Sequence, residues 1–206
     1  MLQKYISYFA QSKKFHQRIK FFDYYLDQKP NDLVGYLNYV LSLVIGAWDD
    51  YEDVDESWED SEIFNISRDK LSYLYEYGNQ RFSNQALFQG IVGSWISNEG
   101  FMFKLDQIYN DHGKNMGKFM MRKAVKMEPE NYLFQFLSAK FGDSLYYVYL
   151  YFKYGGKGFT DLKKLYYVGD YFINIFSIEK EELNNNVETI KKNIHLDRLK
   201  KEYGVE

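Results

Sequence analysis

Only two prolines interrupt the 206 residues of the chain, Pro30 and Pro129, and both stand in the same kind of context. The first reads YYLDQKPNDLVGYLNYV and the second RKAVKMEPENYLFQFLS. In each, an apolar run at helical spacing meets a proline, and an Asx residue then opens a new amphipathic run. Proline has no amide proton and clashes with the turn before it, so it ends a helix. An Asn or Asp side chain can accept from a free amide in the first turn of the next helix. The pattern therefore predicts helix, turn, helix at both places. A third segment, RFSNQALFQGIVGSW, repeats the idea with Ser83 and Asn84 as capping residues and a helix running to about Ser97. Junctions at intervals of 53 and 46 residues predict an all-α fold of stacked helical hairpins. That is a small α-solenoid or an irregular helical bundle, in one domain over residues 1–206.

The remaining elements follow from the 3.6-residue period. Helices are expected over residues 2–10 and 12–28, with Ser12 capping the second, and over 31–50. Another is expected over 68–78 behind Ser67. Residues 99–110 and 114–127 read as a hairpin around Asp111-His112-Gly113. From Ser177 to Tyr203, Glu residues come first and Lys residues later, which suits the dipole of a C-terminal helical element. The stretch 144–176 has two readings. Its Tyr and Val residues and Gly155-Gly156 fit a β-hairpin. Leu145, Val148, Tyr149 and Phe152, then Leu162, Leu165, Tyr166 and Gly169 after Thr160, fit two helices, and that reading has the better spacing.

Chemistry-bearing motifs are scarce. The chain has no Cys, which excludes disulfides, thiolate metal sites and cysteine nucleophiles. His16, His112 and His195 are far apart and none has ligand spacing; His112, in the turn DHGK, is the one best placed for chemistry. YGGKGF lacks the outer glycine spacing and the hydroxyl residue of a phosphate loop. No cofactor and no metal is expected, and the chain does not read as an enzyme. The N-terminus lacks a signal-peptide core, and the apolar stretch Tyr39 to Trp48 is too short to cross a bilayer, which needs about 20 residues. A cytoplasmic protein with no membrane association is expected.

The segment Met116 to Asn131, MGKFMMRKAVKMEPEN, resembles the second helix and exit turn of a tetratricopeptide repeat. Ala124 stands five residues before Pro129, where that family has a small packing residue, and Gly117 stands twelve before it. Around Pro30 the same positions hold Tyr25 and Arg18. The resemblance implies helices packed closely in pairs, with a concave face able to take a peptide or protein.

Charge is the feature with most to say about function. Residues 30–67 hold ten acidic residues and no basic one, while the whole chain has a net charge of only -3. Nine of the fifteen residues in WDDYEDVDESWEDSE, Trp48 to Glu62, are acidic and three are aromatic. Concentrated like charge destabilises a compact state, and Trp and Tyr are favoured interface anchors. The expected binding residues are Trp48, Tyr51 and Trp58 as anchors. Asp49, Asp50, Glu52, Asp53, Asp55, Glu56, Glu59 and Asp60 would steer a basic partner. Such a field repels nucleic acid, so the partner expected is a basic protein and not a polynucleotide. A small, Cys-free, Tyr- and Asn-rich, mostly helical chain with a segregated acidic face resembles the bacterial immunity proteins. The resemblance implies neutralisation of a toxin, often a nuclease. The rival readings are a peptide-binding scaffold with a Tyr-lined face and an enzyme with a site around His112.

Overall fold

The computed structural model describes residues 6, 8, 14–49, 62–105, 112–139, 147, 162–178 and 192. Among them are seven α-helices, one 3-10 turn and no strand, so the fold is all-α as expected. The helices are α1 (Phe15–Gln28), α2 (Leu33–Asp49), α3 (Glu62–Phe82), α4 (Ala86–Glu99), α5 (His112–Met127), α6 (Tyr132–Ser138) and α7 (Tyr167–Ile178). The 3-10 turn, Gly100–Phe103, follows α4 directly.

Both proline turns are built as their sequences require. At the first, the Asp32 carboxylate accepts from the amides of Val34 and Gly35 at 3.0 and 3.2 Å. At the second, Asn131 caps α6 by accepting from the Leu133 amide at 3.1 Å. Each cap satisfies amides that the first helical turn leaves without partners.

Helix α2 is apolar on nearly every side and is buried along almost its whole length, so it forms the centre of this half of the molecule. Phe22 of α1 stacks on Tyr39 with ring centroids 4.9 Å apart. Tyr36 meets Phe82 of α3 at 5.2 Å, and its hydroxyl donates to the Leu74 carbonyl at 2.9 Å. On a third side, fully buried Asn38 joins α2 to the C-terminal region. Its amide donates to the Val34 and Leu165 carbonyls at 2.7 and 2.9 Å, and its oxygen accepts from the Val168 amide at 3.2 Å. A buried amide so completely paired costs little to bury and fixes one register.

The helices approach closely wherever a glycine removes a side chain from the seam. A methyl group on Gly117 of α5 would meet backbone atoms of Gly93 and Ser97 of α4, and one on Gly93 would lie 2.7 Å from the Met120 Cβ. Gly90 takes the ring of Phe134 with Ala124 beside it. The small residues singled out before Pro129 thus do line a close helical contact. In the first hairpin the roles are exchanged. Tyr25 and Arg18 of α1 lie on Gly35 and Gly46 of α2, so the glycines stand on the helix after the proline.

Five expectations are corrected. Ser12 does not cap α1, which begins at Phe15 with Lys14 at its N-cap and no side-chain cap. Ser67 is no cap: it is fully buried inside α3, which begins at Glu62. Neither Ser83 nor Asn84 caps α4, whose N-cap is Gln85; the Ser83 carbonyl instead accepts from Gln89 and Lys123. The expected helix does not start at residue 99: the chain leaves α4 at Glu99, makes the 3-10 turn and enters the left-handed region at Lys104, φ 56°, and residues 106–110 lie outside the described residues. Arg68 donates to the Phe101 carbonyl at 3.0 Å, and Lys104 pairs with Asp69, so this turn is tied to α3. Finally, the helical spacing through Leu162, Leu165 and Gly169 is interrupted at Tyr166, φ 57°, and α7 then runs through Ser177, which is therefore not a cap. Residues 148–161 and most of 179–206 lie outside the described residues.

Candidate partner-binding surfaces

The expected acidic site connects α2 to α3. Trp48 and Asp49 are the last two residues of α2, and Glu62 is the first of α3. Asp50, Tyr51, Glu52, Asp53, Asp55, Glu56, Trp58, Glu59 and Asp60 lie outside the described residues. What frames them is clear. Tyr36, near the start of α2, touches Leu74, Gly78 and Phe82 near the end of α3. The two helices are therefore antiparallel, and Asp49 and Glu62 are at the same end of the pair. At that end the 3-10 turn packs through Phe101 on Phe64, with centroids 6.3 Å apart. One turn before Asp49, the buried Arg18 guanidinium lies against Gly46.

A second surface was not foreseen. Between the end of α1 and the outer face of α3 there is a groove of about 490 Å³, lined by Leu26, Asp27, Pro30, Tyr73, Glu76, Tyr77, Gln80 and Arg81. Pro30 ties the groove's two sides together: the Tyr77 hydroxyl donates to the Pro30 carbonyl at 3.0 Å. Tyr73 is 59% exposed and meets Tyr77 at 6.2 Å, so the two rings form an aromatic wall. Arg81 stands over the Tyr77 ring at 4.0 Å, and Lys70 reaches Tyr73 at 5.7 Å. Burial pushes the Tyr77 hydroxyl above the usual tyrosine range, while Arg81 pulls it partly back. A helical signal for this face was present in the sequence, since Tyr73, Glu76, Tyr77, Gln80 and Arg81 recur at three- and four-residue steps.

Beside the groove, Asp23 holds α1, α2 and α3 together. It accepts from the Tyr39 hydroxyl at 2.9 Å and from Lys70 at 3.1 and 3.0 Å. Burial and then the Asp23 carboxylate hold the Tyr39 hydroxyl neutral far above the usual range; burial alone does most of this for Tyr36. His112 opens α5, and among the described residues no group of three or more His, Asp or Glu is placed to hold a metal.

Helix α5 has the opposite charge. It carries five basic residues and no acidic one. Lys118, Arg122 and Lys126 are exposed along one ridge, with Phe119 exposed beside them.

Compared with known proteins, the chain matches no family model, no curated protein and no solved structure. Among the described residues, no helix is long and apolar enough to cross a membrane.

Proposed function

We propose that this protein is a non-catalytic binding module, an immunity protein that neutralises a bacterial toxin in the cytoplasm. The observation that carries the reading is the run of nine acidic and three aromatic residues in fifteen, Trp48 to Glu62, with no cation among them. The antiparallel packing of α2 and α3 supports it, because both ends of that run are held at one end of a well-packed helix pair. Trp48, Tyr51 and Trp58 serve as desolvated anchors, and the carboxylates steer a basic toxin surface onto them. A nuclease fits best, since its active surface is arranged for phosphates and an acidic segment can occupy the same groove.

Immobilised protein challenged with lysate from its source, at low and at high salt, tests the reading. One stoichiometric basic partner should be retained at low salt and weakened at high salt, and its toxic activity should be lost when the two are mixed. Capture that ignores salt, or a partner whose activity survives in the complex, sinks the proposal.

The groove between α1 and α3 favours a second reading, a scaffold in the manner of tetratricopeptide repeats that holds a peptide or protein on a tyrosine-lined face. The two readings separate on which surface binding needs. Partner capture that survives neutralisation of the 48–62 carboxylates, but not changes at Tyr73 and Tyr77, belongs to the scaffold.

A further inference from the structure

The groove that carries the scaffold reading has a chemistry specific enough to name its guest. Asp27 and Glu76 both line it, both are exposed, and neither forms an ion pair with a described residue. The nearby cation Lys70 is already engaged by Asp23. Lys29, which follows α1, is not part of the wall. Helix α1 ends against the groove with no basic residue in its last turn, and its final carbonyls add partial negative charge there. Among the residues that line the groove, two carboxylates stand against the single cation Arg81, beside a helix C-terminus whose cap is Lys29.

The aromatic wall supplies the other half of the recognition. Tyr77 already carries a guanidinium stacked over its face, the chain's own Arg81, at 4.0 Å from the ring centroid. The adjacent Tyr73 ring stands more than half exposed in the same wall. A planar cation is held by such faces through the ring quadrupole, and arginine is the side chain that most often uses them. It is also the one whose fork can bind a carboxylate with two parallel hydrogen bonds.

From this we infer that the groove is a site for an arginine side chain of a basic peptide or protein segment, stacked on Tyr73 and paired with Asp27 and Glu76. The inference rests on reading the groove as a peptide site and is independent of the acidic 48–62 segment. Its volume of about 490 Å³ lies within the range of sites for small ligands, and it has room for one such side chain and its flanking backbone.

The test uses the full chain and two synthetic probes, acetyl-Gly-Arg-Gly-amide and the same tripeptide with citrulline, which keeps the shape of arginine without its charge. Binding is followed by amide and aromatic NMR shifts. The arginine probe should give saturable shifts at Tyr73, Glu76, Tyr77 and Arg81, and citrulline should bind at least about fivefold more weakly. The double variant D27N/E76Q, changed only at exposed positions, should lose a similar factor while its other resonances stay in place. Equal binding of the two probes, or shifts confined to the 48–62 segment, overturns the arginine site. If neither probe binds but an acidic or apolar peptide shifts the groove residues, the guest is wrong and the scaffold reading stands. If neither probe binds and Tyr73→Ala leaves capture of the natural partner unchanged, both fall.

Discussion

The hairpins around Pro30 and Pro129 begin as near twins and end as different objects. In both, a proline stops a helix and an Asx side chain caps the next one. Beyond the turn they diverge. The first continues into a 17-residue helix buried along almost its whole length, and the second into a helix of 7 residues. The first sets the large residue before the proline and the glycine after it, Tyr25 on Gly35 and Arg18 on Gly46. The second has its small residues before the proline, and α5 presents them to a third helix, α4, through Gly117 on Gly93. Turn chemistry fixes the chain reversal locally. Which side of the seam is hollowed out is decided by what else must pack there.

The contrast can be broken at four points. The largest effect is expected at Gly117→Ala, because the added methyl meets backbone atoms of α4 that no rotamer change can move. A loss of ~1–3 kcal/mol is expected in urea unfolding, as for overpacked cores. Next comes Asp32→Ala, which removes the α2 cap and leaves the Tyr25 hydroxyl without its partner. About 2 kcal/mol is expected there, against about 1 kcal/mol for Asn131→Ala, whose cap holds fewer groups.

The third point is alkaline stability. Tyr36 and Tyr39 stay protonated in the folded chain at a pH where the unfolded chain, with ordinary tyrosines near 10.0, has lost those protons. The unfolded state then binds fewer protons, so stability is full below about pH 10 and falls as pH rises above it. Each such hydroxyl contributes up to ~1.4 kcal/mol per pH unit. Urea midpoints measured from pH 8 to 11 should drop above 10, and less steeply in Tyr36→Phe. The smallest effect belongs to Gly46→Ala. Its new methyl meets the far end of the Arg18 side chain, which can swing aside, so less than about 1 kcal/mol should be lost. If Gly46→Ala costs as much as Gly117→Ala, the two seams are equally rigid and the contrast between them fails.

Much of the fold was legible because its punctuation is local. Pro30 and Pro129 announced α1, α2, α5 and α6 within a few residues of where they stand. Ser67 misled because a serine buried in a helix interior and a serine capping a helix look alike in sequence; only the apolar residues before it, Ile63, Phe64 and Ile66, extend the period. The expected helix does not start at residue 99 for a tertiary reason: Arg68 and Asp69 of α3 hold the 3-10 turn and Lys104 in place. For the candidate sites the division is similar. The acidic run needs only consecutive residues to be seen. The groove needs Tyr77 and Pro30, 47 residues apart, to touch, and nothing in the sequence says that they do.

The proposed function stands or falls on capture of a basic partner by the 48–62 carboxylates. Stopped-flow association with the captured partner at two ionic strengths tests it most directly, comparing the parent chain with a variant carrying Asp50→Asn, Asp53→Asn, Glu56→Gln and Glu59→Gln. Association of the variant is expected to be at least about tenfold slower at low salt, with a nearly flat salt dependence. A variant that associates as fast as the parent, with the same salt dependence, would contradict it.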